Sequence, residues 1–182
     1  MAGSGKRTGA ARAAAAALLA AAIAWPGGAQ AQGQGQKRYR EPDFITIGGG
    51  AFDLLDNTTS AEMDLQVRPN TRLWIFRPQI GLFANSDGGY YAWAGLMTDV
   101  YFGRRLVLSP SFGIGGYHKG DSKDLGGPLE FRSALELAWR FGDSSRLGVQ
   151  FGHISNASIY DENPGTEFLL LNYSMPTGVF DR

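Results

Sequence analysis

The stretch Leu129-Glu130-Phe131-Arg132-Ser133-Ala134-Leu135-Glu136-Leu137-Ala138-Trp139-Arg140-Phe141 decides how the chain folds. Leu129, Phe131, Leu135, Leu137, Trp139 and Phe141 fall on odd positions, and Glu130, Arg132, Glu136 and Arg140 on even ones. Successive side chains of a β-strand point to opposite faces. The segment is therefore a strand with one apolar face and one face carrying charges of both signs. A second stretch repeats the pattern: Met63, Leu65 and Val67 oppose Glu62, Asp64, Gln66 and Arg68.

Outward from this core, no stretch after residue 40 sustains a helical period. Eight runs rich in aromatic and β-branched residues lie at roughly 43–54, 60–69, 72–85, 89–102, 105–118, 129–141, 145–156 and 166–176, separated by Gly, Pro, Asn, Asp and Ser clusters. A soluble barrel would turn its apolar face inward, a membrane barrel outward, and alternation alone does not separate them. Three features favour the membrane barrel. The chain begins with an export signal. Charges of both signs can pair in a narrow lumen, where an unpaired charge is costly. Tyr90, Tyr91, Trp93, Tyr101, Phe102 and Trp139 gather near strand ends, as an interfacial girdle does. The expectation is an all-β, eight-stranded antiparallel transmembrane barrel over residues 43–182, its interior filled by side chains. Many such barrels end on an aromatic residue; here Phe180 is followed by Asp181 and Arg182.

The export signal occupies residues 1–31. Lys6, Arg7 and Arg12 precede an apolar run from Ala13 to Ala24, Trp25 to Gly28 break it, and Ala29-Gln30-Ala31 offers a small-x-small cleavage site. A run of about 12 residues is too short to span a bilayer, which takes roughly 20 in a helix. Residues 32–42, opening on a polar low-complexity tract, read as a flexible leader. Removing the three basic residues of the signal leaves 14 Lys and Arg against 17 Asp and Glu, a net charge of −3. With no basic stripe, nucleic acid is not an expected partner. The chain has no Cys, and its two histidines, His118 and His153, lack zinc-ligand spacing, so neither a metal nor another cofactor is expected. Gly48-Gly49-Gly50 lacks the Lys and helix of a phosphate loop and reads as a bend or relief of crowding. His118 lies beside Lys119 and Asp121 and reads as a solvated loop residue.

One segment breaks the scaffold pattern. Leu147, Val149 and Phe151 face lipid by parity, and His153 and Ser155 continue the same face. After a loop holding Asn163, Pro164 and Gly165, the last run opens with Glu167, which shares a face with Leu169, Leu171 and Tyr173. A hairpin with Gly165 across from Ser155 sets Glu167 across from His153, with Cβ atoms about 4.5–5.5 Å apart. His153 and Ser155 are then roughly 6–7 Å apart at Cα. A serine, a histidine and an acid in one line have the logic of nucleophilic acyl transfer. Taken singly, each has an ordinary reading as polar filler, interfacial anchor or solvated acid, and the residues alone leave both accounts open.

The segment His153-Ile154-Ser155-Asn156-Ala157 resembles the His-x-Ser-Asn-Ala motif of the outer-membrane lipid A 3-O-deacylases of the PagL type. Glu167, twelve residues after Ser155, falls where that family has its acid, and Asn163 falls on its oxyanion-stabilising asparagine. The resemblance spans roughly 43–182 and is specific over 151–176. Ile154 stands where an aromatic is frequent and Ser158 where Gly is frequent. The resemblance implies an outer-membrane serine esterase acting from the outer barrel wall, without cofactor, on the acyl chain at position 3 of lipid A. His153, Ser155 and Glu167 would be catalytic, Asn163 would serve the oxyanion, and Asn156, pointing inward, would shape the strand end. Lipid A, or the lipopolysaccharide that carries it, would be the partner, and pairing into a homodimer stays open. Two rivals remain: a structural barrel without activity, and an esterase acting on another membrane lipid.

Overall fold

The computed structural model describes residues 41–56 and 59–177. The signal segment, most of the leader and Phe180 lie outside the described residues. The strand segments are β1 (Asp43–Phe52), β2 (Ser60–Arg68), β3 (Arg77–Asn85), β4 (Tyr90–Met97), β5 (Val100–Phe102), β6 (Leu106–His118), β7 (Leu129–Arg140), β8 (Arg146–Ser155) and β9 (Thr166–Thr177). All pair antiparallel with their neighbours, and β1 pairs with β9, which closes the sheet. β4 and β5 are one strand in a single register on β6, with Met97 across from Ser111 and Val100 across from Leu108. Between them Thr98 donates its N–H to the carbonyl of Pro110, at 3.1 Å, but proline has no N–H to return. The ladder lapses there without a change of register, so the barrel is eight-stranded.

Its polarity is that of a membrane barrel. On β7 the outward Leu135 and Leu137 are 39% and 48% exposed, whereas the inward Arg132 and Glu136 are 2% and 0%. The lumen is packed in layers. Near the end where β1 begins, Asp99 accepts hydrogen bonds from Arg77 Nη1 at 3.0 Å and from Arg146 Nη1 at 3.2 Å. Arg146 also pairs with Glu41 at 2.8 Å, which brings the close of the segment read as leader against the barrel floor. In the middle, Arg68 grips Glu136 with two hydrogen bonds of 3.0 and 2.7 Å, and Asn172 Nδ2 donates to the same carboxylate at 2.7 Å. Toward the far end, Phe52, Phe83, Tyr91, Trp93, Tyr117, Ile154 and Phe168 form an apolar plug, with Leu125 among them.

Two expectations need correction. Tyr91 and Trp93 do not join a girdle: they take inward positions on β4 and are buried, while Tyr90, Tyr101, Phe102 and Trp139 are exposed. Residues 72–76 do not belong to the third strand. Leu73 and Phe76 exchange two backbone hydrogen bonds around a tight turn in which Trp74 has φ 63°. Its four apolar residues, all exposed, gave the turn the composition of a strand. The triple glycine relieves crowding: a side chain at Gly48 would meet Asn172, and one at Gly50 the backbone of Leu169.

Candidate active site on the outer barrel wall

β8 and β9 form the wall that carries the site, at the end of the barrel opposite the start of β1. Their register sets His153 across from Glu167 and Ile154 across from Thr166, so that the next position brings Gly165 across from Ser155. On the other side of β8, Ser155 lies across from Phe131 and His153 across from Ser133. The outward face of β8 thus runs Leu147, Val149, Phe151, His153, Ser155, three bulky apolar residues leading to two polar ones.

His153 Nδ1 and Glu167 Oε1 are 3.1 Å apart, each side chain about one-quarter exposed. An ionised carboxylate only accepts, so Nδ1 carries the proton that it donates and Nε2 is left as the ring's acceptor. Nε2 and Cε1 lie over Gly165: a Cβ built there would stand 3.1 Å from Nε2 and 2.7 Å from Cε1. The ring therefore spans from the carboxylate of Glu167 to the level of Ser155. Among the described residues, the Ser155 hydroxyl has no hydrogen-bonded partner, and it lies on the same outward face as the ring, one residue pair further along the strand. Behind the wall, Arg132 lies 4.3 Å from the centre of the Phe168 ring, next in sequence to Glu167. The Glu167 carbonyl accepts from Leu54 N–H at 3.1 Å, and Thr166 Oγ1 donates to Asp53 Oδ1 at 3.0 Å, so the acid's strand is fixed from the β1 side as well.

The loop after Ser155 is organised by Asn156. Its side chain is buried, with Nδ2 donating to the carbonyls of Leu125 and Glu162, both at 2.8 Å, and Oδ1 accepting from Ser158 N–H at 2.9 Å. Its own N–H donates to Asn163 Oδ1 at 3.1 Å, while Asn163 Nδ2 donates to Ser158 Oγ at 3.3 Å. Ala157 and Ser158 both take left-handed backbone, φ 54° and 64°. Among the described residues, the N–H of Ala157 has no protein partner, and it follows Ser155 by two positions. Ile154 points into the plug and is fully buried, so its departure from the aromatic norm concerns interior packing and not the lipid-facing surface. His118 stacks on Tyr90, ring centres 4.9 Å apart, two strands away from Ser155.

The five residues singled out from sequence thus fall in one hairpin, three on its outer face and two in its loop. Gly165 and Leu125 were not singled out as parts of the site. The first makes room for the imidazole, and the second is the anchor to which Asn156 ties the neighbouring loop. Neither has a polar side chain to mark it.

Comparison with known proteins decides the family. A family model described as lipid A 3-O-deacylase (PagL) matches residues 57–176, well over half of the chain. The chain belongs to the PagL family. One relative in that family, the lipid A deacylase PagL of Bordetella bronchiseptica, is 33% identical over 52 residues, which cover 29% of each chain. The matched stretch therefore spans less than a third of that relative's length. Among solved structures, the crystal structure of the outer membrane enzyme PagL superposes with a TM-score of 0.60 at 17% identity, covering 74% of this chain and 99% of that one. A de novo designed transmembrane β-barrel gives a TM-score of 0.50 at 11% identity over 77% of this chain and all of its own. These two likenesses concern the fold, which the PagL family shares here with a barrel that has no natural ancestry.

Proposed function

We propose that this protein is an outer-membrane serine esterase that removes the ester-linked acyl chain at position 3 of lipid A. The observation that carries the reading is the His153–Glu167 pair on the lipid-facing wall, with Ser155 next along the same face. A structural barrel has no use for a histidine and a carboxylate in the apolar face of its wall, where burying charge is costly. Membership in the PagL family supplies the substrate class.

The orientation follows from the loops. Outer-membrane barrels keep short turns on the periplasmic side and longer loops outside. The loops 119–128 and 156–165 lie at the site's end, which supports an outer-leaflet position for Ser155. A lipid already resident there need not be extracted. Ser155 Oγ attacks the acyl carbonyl while His153 Nε2 takes its proton, and Glu167 steadies the resulting imidazolium. Asn163 Nδ2, turned from Ser158 Oγ, and the N–H of Ala157 would donate to the oxyanion. As the tetrahedral intermediate collapses, the sugar oxygen leaves with the proton from His153. Water, activated by the same ring, then releases the chain as a free fatty acid. Export by the signal at 1–31 belongs to this reading, and the mechanism uses no cofactor.

The test is mass spectrometry of lipid A incubated with the wild-type protein and with Ser155→Ala. Release of one 3-hydroxyacyl chain by the wild type, absent with Ser155→Ala, is the expected result. Lipid A untouched by the wild type in both detergent and membranes rules the deacylase out. Loss of an acyl chain from phospholipid, with lipid A intact, moves the protein to another lipid.

A further inference from the structure

The geometry points to Gly165 as a positioning residue whose missing side chain sets the angle at which His153 addresses Ser155; this rests on the esterase reading above. The Glu167 bond draws the imidazole toward β9, and the ring then passes directly over the Cα of Gly165. Ordinary contact of a Cβ begins near 3.4 Å, so a side chain here would drive Cε1 back by about 0.7 Å. The ring can yield, but only by moving the two nitrogens that the chemistry uses. Its Nδ1 already lies 3.1 Å from Glu167, near the far limit of a good hydrogen bond, and Nε2 must come within about 2.6–3.2 Å of Ser155 Oγ to act as a base. A displaced ring changes its angle to Glu167 and its approach to Ser155 together.

Gly165 also has φ 65°, and a turn requirement alone would call for glycine. Two substitutions separate the causes. Asparagine tolerates left-handed backbone, whereas alanine does so poorly, and both add the same Cβ. Wild type, Gly165→Asn and Gly165→Ala are refolded into detergent and compared in two assays: lipid A deacylation, and the rate at which a small fluorophosphonate labels Ser155. The second assay reports on the Ser155–His153 couple without lipid A.

Misplacing a reacting group by about 1 Å can cost 10²-fold, so both variants are expected to lose roughly 10- to 100-fold in kcat and in labelling rate, with KM little changed. Thermal unfolding of Gly165→Asn should stay near that of wild type. Labelling of Gly165→Asn at the wild-type rate, with only Gly165→Ala impaired, overturns the proposal and leaves Gly165 as a turn residue. A wild type that is labelled at Ser155 but spares lipid A removes the substrate assignment, and the labelling rates still judge Gly165. A wild type that is not labelled removes both.

Discussion

At the scale of single residues, the site depends on parity. His153, Ser155 and Glu167 are legible in the sequence because a strand projects alternate side chains to one face, and three polar groups among Phe151, Leu169 and Leu171 stand out. What the sequence does not display is contact through the absence of atoms, as at Gly165, or backbone handedness, as at Ala157 and Ser158. The Ser158 hydroxyl also receives Asn163 Nδ2, a bond that glycine at this position would not offer. In the proposed mechanism Asn163 must turn that donor to the substrate. Asn163→Ala is therefore expected to lower kcat by about 10²–10³-fold, the usual effect of removing one oxyanion donor, with KM nearly unchanged. Steady-state deacylation kinetics check it. A loss confined to KM would mean that Asn163 binds lipid instead.

At the scale of elements, seven of the eight strands follow from alternation and turn residues, and the third begins late because Leu73 to Phe76 imitate a strand while forming a turn. Composition cannot tell the two apart; the paired hydrogen bonds between Leu73 and Phe76 can. The interruption between β4 and β5 has its cause one strand away, in Pro110. Pro110→Ala would return an N–H to the ladder opposite Thr98, a gain of about 0.5–1.5 kcal/mol. Freeing the unfolded chain from the ring would give back about 0.4–1 kcal/mol. Stability should change by less than about 1 kcal/mol, being the difference between these two terms. Hydrogen exchange should show the amide introduced by Pro110→Ala as slowly exchanging. Fast exchange at that amide would mean that the strand is parted there for another reason.

At the scale of the whole molecule, buried ion pairs tie distant segments of the chain together in the lumen. Alternation shows that charges of both signs face inward, but not which partners meet: Arg68 and Glu136 are 68 residues apart in sequence and join across the barrel. Breaking a buried pair from one side leaves a charge without its partner, and such losses run to about 3–5 kcal/mol. Arg68→Met is expected to cost on that order in urea-induced unfolding. Arg68→Met with Glu136→Leu should recover a large part of it, because replacing both members of a buried pair by apolar groups is often neutral or better. A double variant no more stable than Arg68→Met alone would show that Asn172 and the rest of the layer depend on the Glu136 carboxylate itself.

The proposed nucleophile, base and acid, and the loop beside them, all lie between Arg146 and Thr177, in two consecutive strands and one connection. Many hydrolases draw such groups from distant parts of the chain, so that activity and global architecture are inherited together. Here the proposed groups form a contiguous cassette, tied to the rest of the barrel through Leu125 and Asp53. Grafted onto an unrelated barrel of the same strand number, with the tether from Asn156 to the adjoining loop rebuilt, it would carry its reactive geometry along. Evolution of this wall could then proceed by exchange of a single hairpin, leaving the rest of the cylinder free to drift.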